Sequence, residues 1–151
     1  MAYEPKILNW NDCQWASVRD KMRNMAYQAD NMTTTLTEAT PGHTPGPHSH
    51  KYEQLVFILQ GECDFYVDGK PYHLTPGSVM TIPGGVEHYI VATGTVPVLN
   101  LDVFYPNRPE RIESRPAEKG ESKACWYGLH YCGRRARRLQ LQRNGERSSC
   151  R

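Results

Sequence analysis

The stretch Gly42-His43-Thr44-Pro45-Gly46-Pro47-His48-Ser49-His50-Lys51-Tyr52-Glu53-Gln54-Leu55-Val56-Phe57-Ile58-Leu59-Gln60-Gly61 decides how this chain folds. Its opening, together with Pro41, is a proline- and glycine-rich loop that cannot be helical, because proline withholds an N–H and clashes with the preceding turn. Its end, Tyr52 to Gln60, is an apolar run stopped by a glycine, the pattern of a strand that meets a turn. Between the two stand His48 and His50. On an extended backbone alternate side chains project to one face, so both imidazoles can reach the same ion. The same parity brings Gln54 to that face and turns Glu53 away, although a carboxylate is the more obvious ligand. Gln54 is therefore the expected third ligand and Glu53 the alternative.

Outward from this stretch the chain reads as short strands. Met32 to Thr37 is β-branched. Cys63 to Val67 and Tyr72 to Leu74 flank Asp68-Gly69, a favoured hairpin turn. Ser78 to Ile82, Val86 to Ala92 and Val96 to Phe104 complete the set, with Pro83-Gly84-Gly85 between the first two. Strands at roughly ten-residue intervals, separated by glycine and proline turns, predict an all-β antiparallel sandwich or barrel. Upstream, Trp15, Val18, Met22, Met25 and Ala26 fall at three- and four-residue spacing, which predicts a short helix or an irregular lead-in. The expected organisation is a lead-in over 1–30, a barrel over 31–116 and a basic extension over 117–151.

Composition bounds the function. The chain has 151 residues and 17.3 kDa, enough for one domain with a core. A mean hydropathy of -0.68 and the lack of a long apolar run argue against a membrane span. The first ten residues lack the basic-then-apolar pattern of a secretion leader. Five cysteines, an odd number at irregular spacing, point to a reducing, cytoplasmic setting. The net charge of +2 conceals an asymmetry: 6 basic and 11 acidic residues up to Asn107, then 12 basic and 5 acidic from Arg108 onward. Much of the basic excess lies near Arg134 to Arg138, which has no interleaved aromatics, so a solvated tail is expected there and a nucleic-acid partner is not.

A second block, Gly77, Pro83, Gly85 and His88, follows the first after Glu62 to Pro76, a length that suits a hairpin arm. The two blocks together resemble the paired signature motifs of the cupin superfamily over about Met32 to Phe104. Two departures stand out. An amide, Gln54, occupies the place of the usual glutamate, and Val91 and Ala92 replace the asparagine that often closes the second motif. The resemblance implies a small antiparallel jelly-roll barrel, a homodimer, and one divalent metal ion held by His48, His50, Gln54 and His88. Nickel, zinc, manganese and iron all suit such a donor set. An amide in place of a carboxylate leaves the ion its full positive charge, which favours electrophilic and proton-transfer chemistry over oxygen activation.

A third element follows. In Leu101-Asp102-Val103-Phe104-Tyr105-Pro106-Asn107-Arg108, parity puts Asp102 and Phe104 on one face, and Arg108 lies just beyond a proline. Facing into a barrel, they would offer a proton shuttle, a ring and a guanidinium fork for a carboxylate. The same string also reads as a strand end with Phe104 buried and Asp102 and Arg108 solvated. With the histidines it resembles the small cupins of pectin and alginate breakdown that open and ketonise 4,5-unsaturated uronates. That resemblance implies an isomerase or tautomerase acting on a small carboxylated sugar, with Asp102, Phe104 and Arg108 at the reacting site. The alternatives are a metal-dependent dioxygenase or lyase on another small acid, and a non-catalytic ligand-binding cupin.

Overall fold

The computed structural model describes residues 4–116. The expected extension over 117–151, with Cys125, His130, Cys132, Arg134 to Arg138 and Cys150, lies outside the described residues. A 3-10 turn, Trp10–Asp12, is followed by nine strands: β1 Ala16–Arg19, β2 Met22–Gln28, β3 Thr33–Ala39, β4 Glu53–Gln60, β5 Cys63–Val67, β6 Lys70–Leu74, β7 Val79–Ile82, β8 His88–Ala92 and β9 Val98–Tyr105. All pairings are antiparallel. One sheet has the order β1-β2-β3-β9-β4-β7 and the other β6-β5-β8. From β3 onward, apart from the β5–β6 hairpin, sequential strands lie in opposite sheets or skip neighbours, the jelly-roll form of the expected antiparallel barrel.

The turns follow backbone chemistry. Gly61 closes β4 with φ +76, and a Cβ there would lie 2.7 Å from the Pro97 carbonyl oxygen. Gly84 lets the Pro83-Gly84-Gly85 turn lie against the chain after His50, since a Cβ would collide with the Lys51 carbonyl. The Gly85 N–H donates to the His50 carbonyl oxygen at 2.7 Å, which ties the two motif blocks together.

One expectation is corrected. The stretch read as a helix or lead-in is strand, and β2 pairs with β3 from Met22↔Ala39 to Gln28↔Thr33. The cause is burial on both faces. Met22 packs into the core with Val56, Ile58, Phe65 and Ile90, whereas Met25 packs on the opposite side with Cys13 and Leu36, beside Leu8, Trp10 and Trp15. A strand covered on both faces loses strict alternation, and its apolar residues then mimic helical spacing.

Candidate metal and substrate site

β9 carries the floor of the site. Its burial alternates strictly, so Val98, Asn100, Asp102 and Phe104 all point inward. Thr35 on β3 lies directly opposite Asp102, and Gln54 on β4 opposite Phe104. Gln54 is buried and Glu53 exposed, which places the amide inside and the alternative ligand outside.

The histidines arrive by a different route from the one parity supplied. Regular β4 begins only at Glu53, and Lys51 and Tyr52 form a bend, so His48 to Gln54 is not one strand. His48 instead bridges His88 through two backbone bonds, His48 N–H to the His88 oxygen at 3.2 Å and the reverse at 2.9 Å. His48, His50 and His88 thereby bring their ligand nitrogens within 4.8 Å of one another.

Each ring is oriented by the backbone. The Nδ1 atoms of His48, His50 and His88 contact the carbonyl oxygens of Gly46, Tyr52 and Val86 at 3.0, 2.9 and 2.8 Å. A carbonyl only accepts, so each Nδ1 holds the proton and each Nε2 presents a lone pair. Burial lowers the pKa of all three, and that of His88 falls to about 4, with His48 and His50 adding to the effect. The cluster is therefore neutral at physiological pH, the form that binds metal.

Gln54 sharpens the argument. Its Nε2 donates to Asp102 Oδ1 at 2.9 Å, which leaves Oε1 only 3.0 Å from His50 Nε2. Two lone pairs then face each other, an arrangement that a shared cation relieves. Among the described residues His88 Nε2 is buried with no hydrogen-bond partner, the environment of a metal-ligating lone pair. Three imidazoles beside an amide oxygen fit a divalent transition metal, and the three histidines can form its site.

Asp102 is enclosed by donors. Oδ1 accepts from Gln54 and from Asn100 Nδ2 at 2.8 Å, whereas Oδ2 accepts only from Thr35 Oγ1 at 3.3 Å. Burial raises its pKa to about 6 against the opposing pull of these donors, so the carboxyl can exchange a proton near neutrality.

Arg108 is 8% exposed and stands over the Phe104 ring at 4.8 Å from its centroid, while His50 meets that ring edge-on at 5.3 Å. Its Nε donates to Glu110 Oε1 at 2.8 Å, and the Tyr52 hydroxyl donates to Glu110 Oε2 at 3.1 Å. The strand-end alternative, with Asp102 and Arg108 in solvent, is excluded because both are buried. The Arg108 backbone is held from below: its N–H donates to Thr33 Oγ1 at 2.8 Å, and the Thr33 hydroxyl donates to Gln28 Oε1 at 2.5 Å. Gln28 Nε2 donates to the carbonyl oxygens of Arg108 and Arg111 at 3.1 and 2.7 Å.

His48, Gln54, His88, Asp102, Phe104 and Arg108 line one open cavity. The sequence reading missed several of its polar walls. Asn100 could have been found by the same period-two parity as Asp102, and Thr37 lies in a strand that was recognised. Arg19 was hidden by the helical reading, and Arg111, beyond the last strand, carries no local signal.

Comparison with known proteins agrees with this architecture. Residues 35–104 match the family described as the cupin domain. Over 87 residues the chain is 31% identical to an uncharacterized HTH-type transcriptional regulator, YobQ, of Bacillus subtilis; the match covers 56% of this chain and 35% of that protein, so the chain spans about a third of its length. Among solved structures, KdgF from Halomonas sp. superposes with a TM-score of 0.65 at 20% identity, covering 72% of this chain and 100% of that one. An RmlC-like cupin from Shewanella frigidimarina also gives 0.65, at 18% identity, covering 72% and 97%. At these identities the structural likeness concerns the fold. Residues 35–104 thus match the cupin domain, and the described residues fold as an antiparallel two-sheet barrel that gathers His48, His50 and His88.

Proposed function

We propose that this protein is a metal-dependent isomerase that opens and ketonises a small unsaturated uronate-like sugar acid. One observation carries the reading: a neutral three-histidine cluster is joined through Gln54 to a buried carboxyl, Asp102, whose pKa lies near 6. His48, His50, Gln54 and His88 would hold the ion, which when bound supplies electrophilic stabilisation of negative charge on a substrate oxygen.

The rest is done by the chain. Ring opening and enol-to-keto conversion only relocate protons, from oxygen to oxygen and then to carbon, with no net change in atoms or electrons. Such a reaction needs one group that can both release and take up a proton. Asp102 is that group, with Oδ2 its less engaged oxygen. Arg108, whose Nη1 has no hydrogen-bond partner among the described residues, anchors the substrate carboxylate. Phe104, 1% exposed, acts as a positioning residue that holds Arg108 over its face and His50 at its edge. A cytoplasmic homodimer is part of the proposal.

The test is metal analysis of the purified protein, followed by the absorbance of a 4,5-unsaturated uronate. Stoichiometric divalent metal and a metal-dependent loss of absorbance are expected. Unchanged absorbance with every divalent metal tried would overturn the reaction. A second reading, a ligand-binding sensor module, is favoured by the likeness to a transcriptional regulator. Tight binding of a sugar acid with no turnover would select it.

A further inference from the structure

Among the described residues, four buried side-chain polar atoms lack a hydrogen-bond partner: His88 Nε2, Asn100 Oδ1, Arg108 Nη1 and Arg111 Nε. All four belong to residues lining the same cavity. One is a metal-type lone pair and one an amide acceptor. The other two are guanidinium donors, on different arginines. An unpartnered buried donor is costly, the more so when it is charged, so two in one cavity point to a ligand that completes them.

The charge balance points the same way. Arg19, Arg108 and Arg111 line the cavity, and Asp102 is the one carboxylate among its described lining residues. Glu110 engages Arg108 through Nε only. Arg111 is half-buried and its pKa is lowered by burial, then by the charge of Arg108, with a smaller contribution from Arg19. Like charges are thus gathered at one mouth. Arg19, on the edge strand β1, lays its guanidinium against Gly46, where a Cβ would collide with it. The Arg111 N–H donates to the Arg108 carbonyl at 3.0 Å, so one turn, clamped by Gln28, carries both arginines.

We propose that Arg19 and Arg111 form a second oxyanion subsite, separate from Arg108, and that the natural ligand is a small sugar acid bearing two anionic groups. This rests on the proposed substrate class and narrows it. Arg108 takes one carboxylate. The Arg19–Arg111 pair takes a second oxyanion, a carboxylate or an ester sulfate or phosphate. Ring opening needs a free anomeric hydroxyl, so in a cyclic substrate the second anion sits on another position of the ring.

The experiment is calorimetric titration of the full chain, metal-loaded, with galacturonate and with galacturonate 3-sulfate, which adds a second anion to the ring and leaves the anomeric hydroxyl free. The sulfated acid should bind at least about tenfold more tightly, equal to about 1.4 kcal/mol. Arg111→Gln and, independently, Arg19→Gln should remove that preference while galacturonate affinity changes little. Arg108→Gln should weaken both acids. Equal affinities in the unmodified protein, binding of neither acid, or a preference that survives both substitutions overturns the subsite. A preference for the sulfated acid without uronate turnover would leave the subsite standing and remove the isomerase. Uronate turnover without the preference would do the reverse.

Discussion

The hydroxyl of Thr33 provides a sharp test of how the barrel positions its arginines. Thr33 is fully buried, accepts the Arg108 N–H at 2.8 Å and donates to Gln28 Oε1 at 2.5 Å. Thr33→Val keeps the shape and the strand propensity but deletes both bonds. The Arg108 N–H is then buried without an acceptor, at a cost of about 1–3 kcal/mol, and the half-buried Gln28 oxygen adds less because water can reach it. A total near 2–3 kcal/mol corresponds to a fall in Tm of roughly 10 °C for a domain of this size. Circular dichroism melts of Thr33→Val and of Thr33→Ser, which keeps the hydroxyl, measure it. Thr33→Ser should lose much less. Loosening the Arg108–Arg111 turn should also weaken sugar-acid binding while metal content stays constant. A Thr33→Val protein melting within about 2 °C of the unmodified one would refute the argument that this hydroxyl pins the turn.

Other expectations concern single groups. Asp102→Asn should abolish uronate turnover while metal analysis still finds the ion; full activity in that variant would remove the proton-transfer role. His88→Ala, or dialysis against a strong chelator, should empty the site, read by metal analysis, and activity should return to the chelated protein alone on adding metal back. Burial pushes the Cys63 thiol up to about 12 from an ordinary value of 9.0. The fold therefore holds a proton that the unfolded chain releases above pH 9, and stability should fall as pH rises from about 9 toward 12. Cys63 should also resist alkylation at pH 8 until the protein unfolds, which thiol mass labelling would show. Gly84→Ala should destabilise by about 2 kcal/mol or more and disturb His50, because the new Cβ meets the Lys51 carbonyl rather than a flexible side chain.

Much of the barrel is legible in the sequence because its signals are local. Proline and glycine mark the turns, and β-branched or apolar runs mark β3 to β9 to within about two residues. β9 is the clearest case: one buried face gives a strict alternation, which put Asp102 and Phe104 together before any coordinates. β2 is the opposite case. Both its faces are covered, so its apolar residues carry no period of two and suit a short helix or an irregular lead-in instead. The parity count that joins His48 and His50 to Gln54 does not run along one strand, since a bend at Lys51 and Tyr52 interrupts it, and the pairing of His48 with His88 does the positioning.

The sequence by itself determined the donor types and their order: two histidines, an amide, a third histidine, then the Asp102-to-Arg108 string. It gave Gln54 as the expected inward residue with Glu53 as the alternative, and the burial pattern of β4, with Gln54 buried and Glu53 exposed, decided between them. Only the tertiary structure decided that Nε2 is the free nitrogen of each ring, that Asp102 is buried with a pKa near 6, and that Arg19 and Arg111 meet Arg108 around one cavity. Tautomer, desolvation and charge clustering depend on which carbonyls and side chains arrive from distant strands. Chain spacing encodes none of these, because they are set by the packing of two sheets.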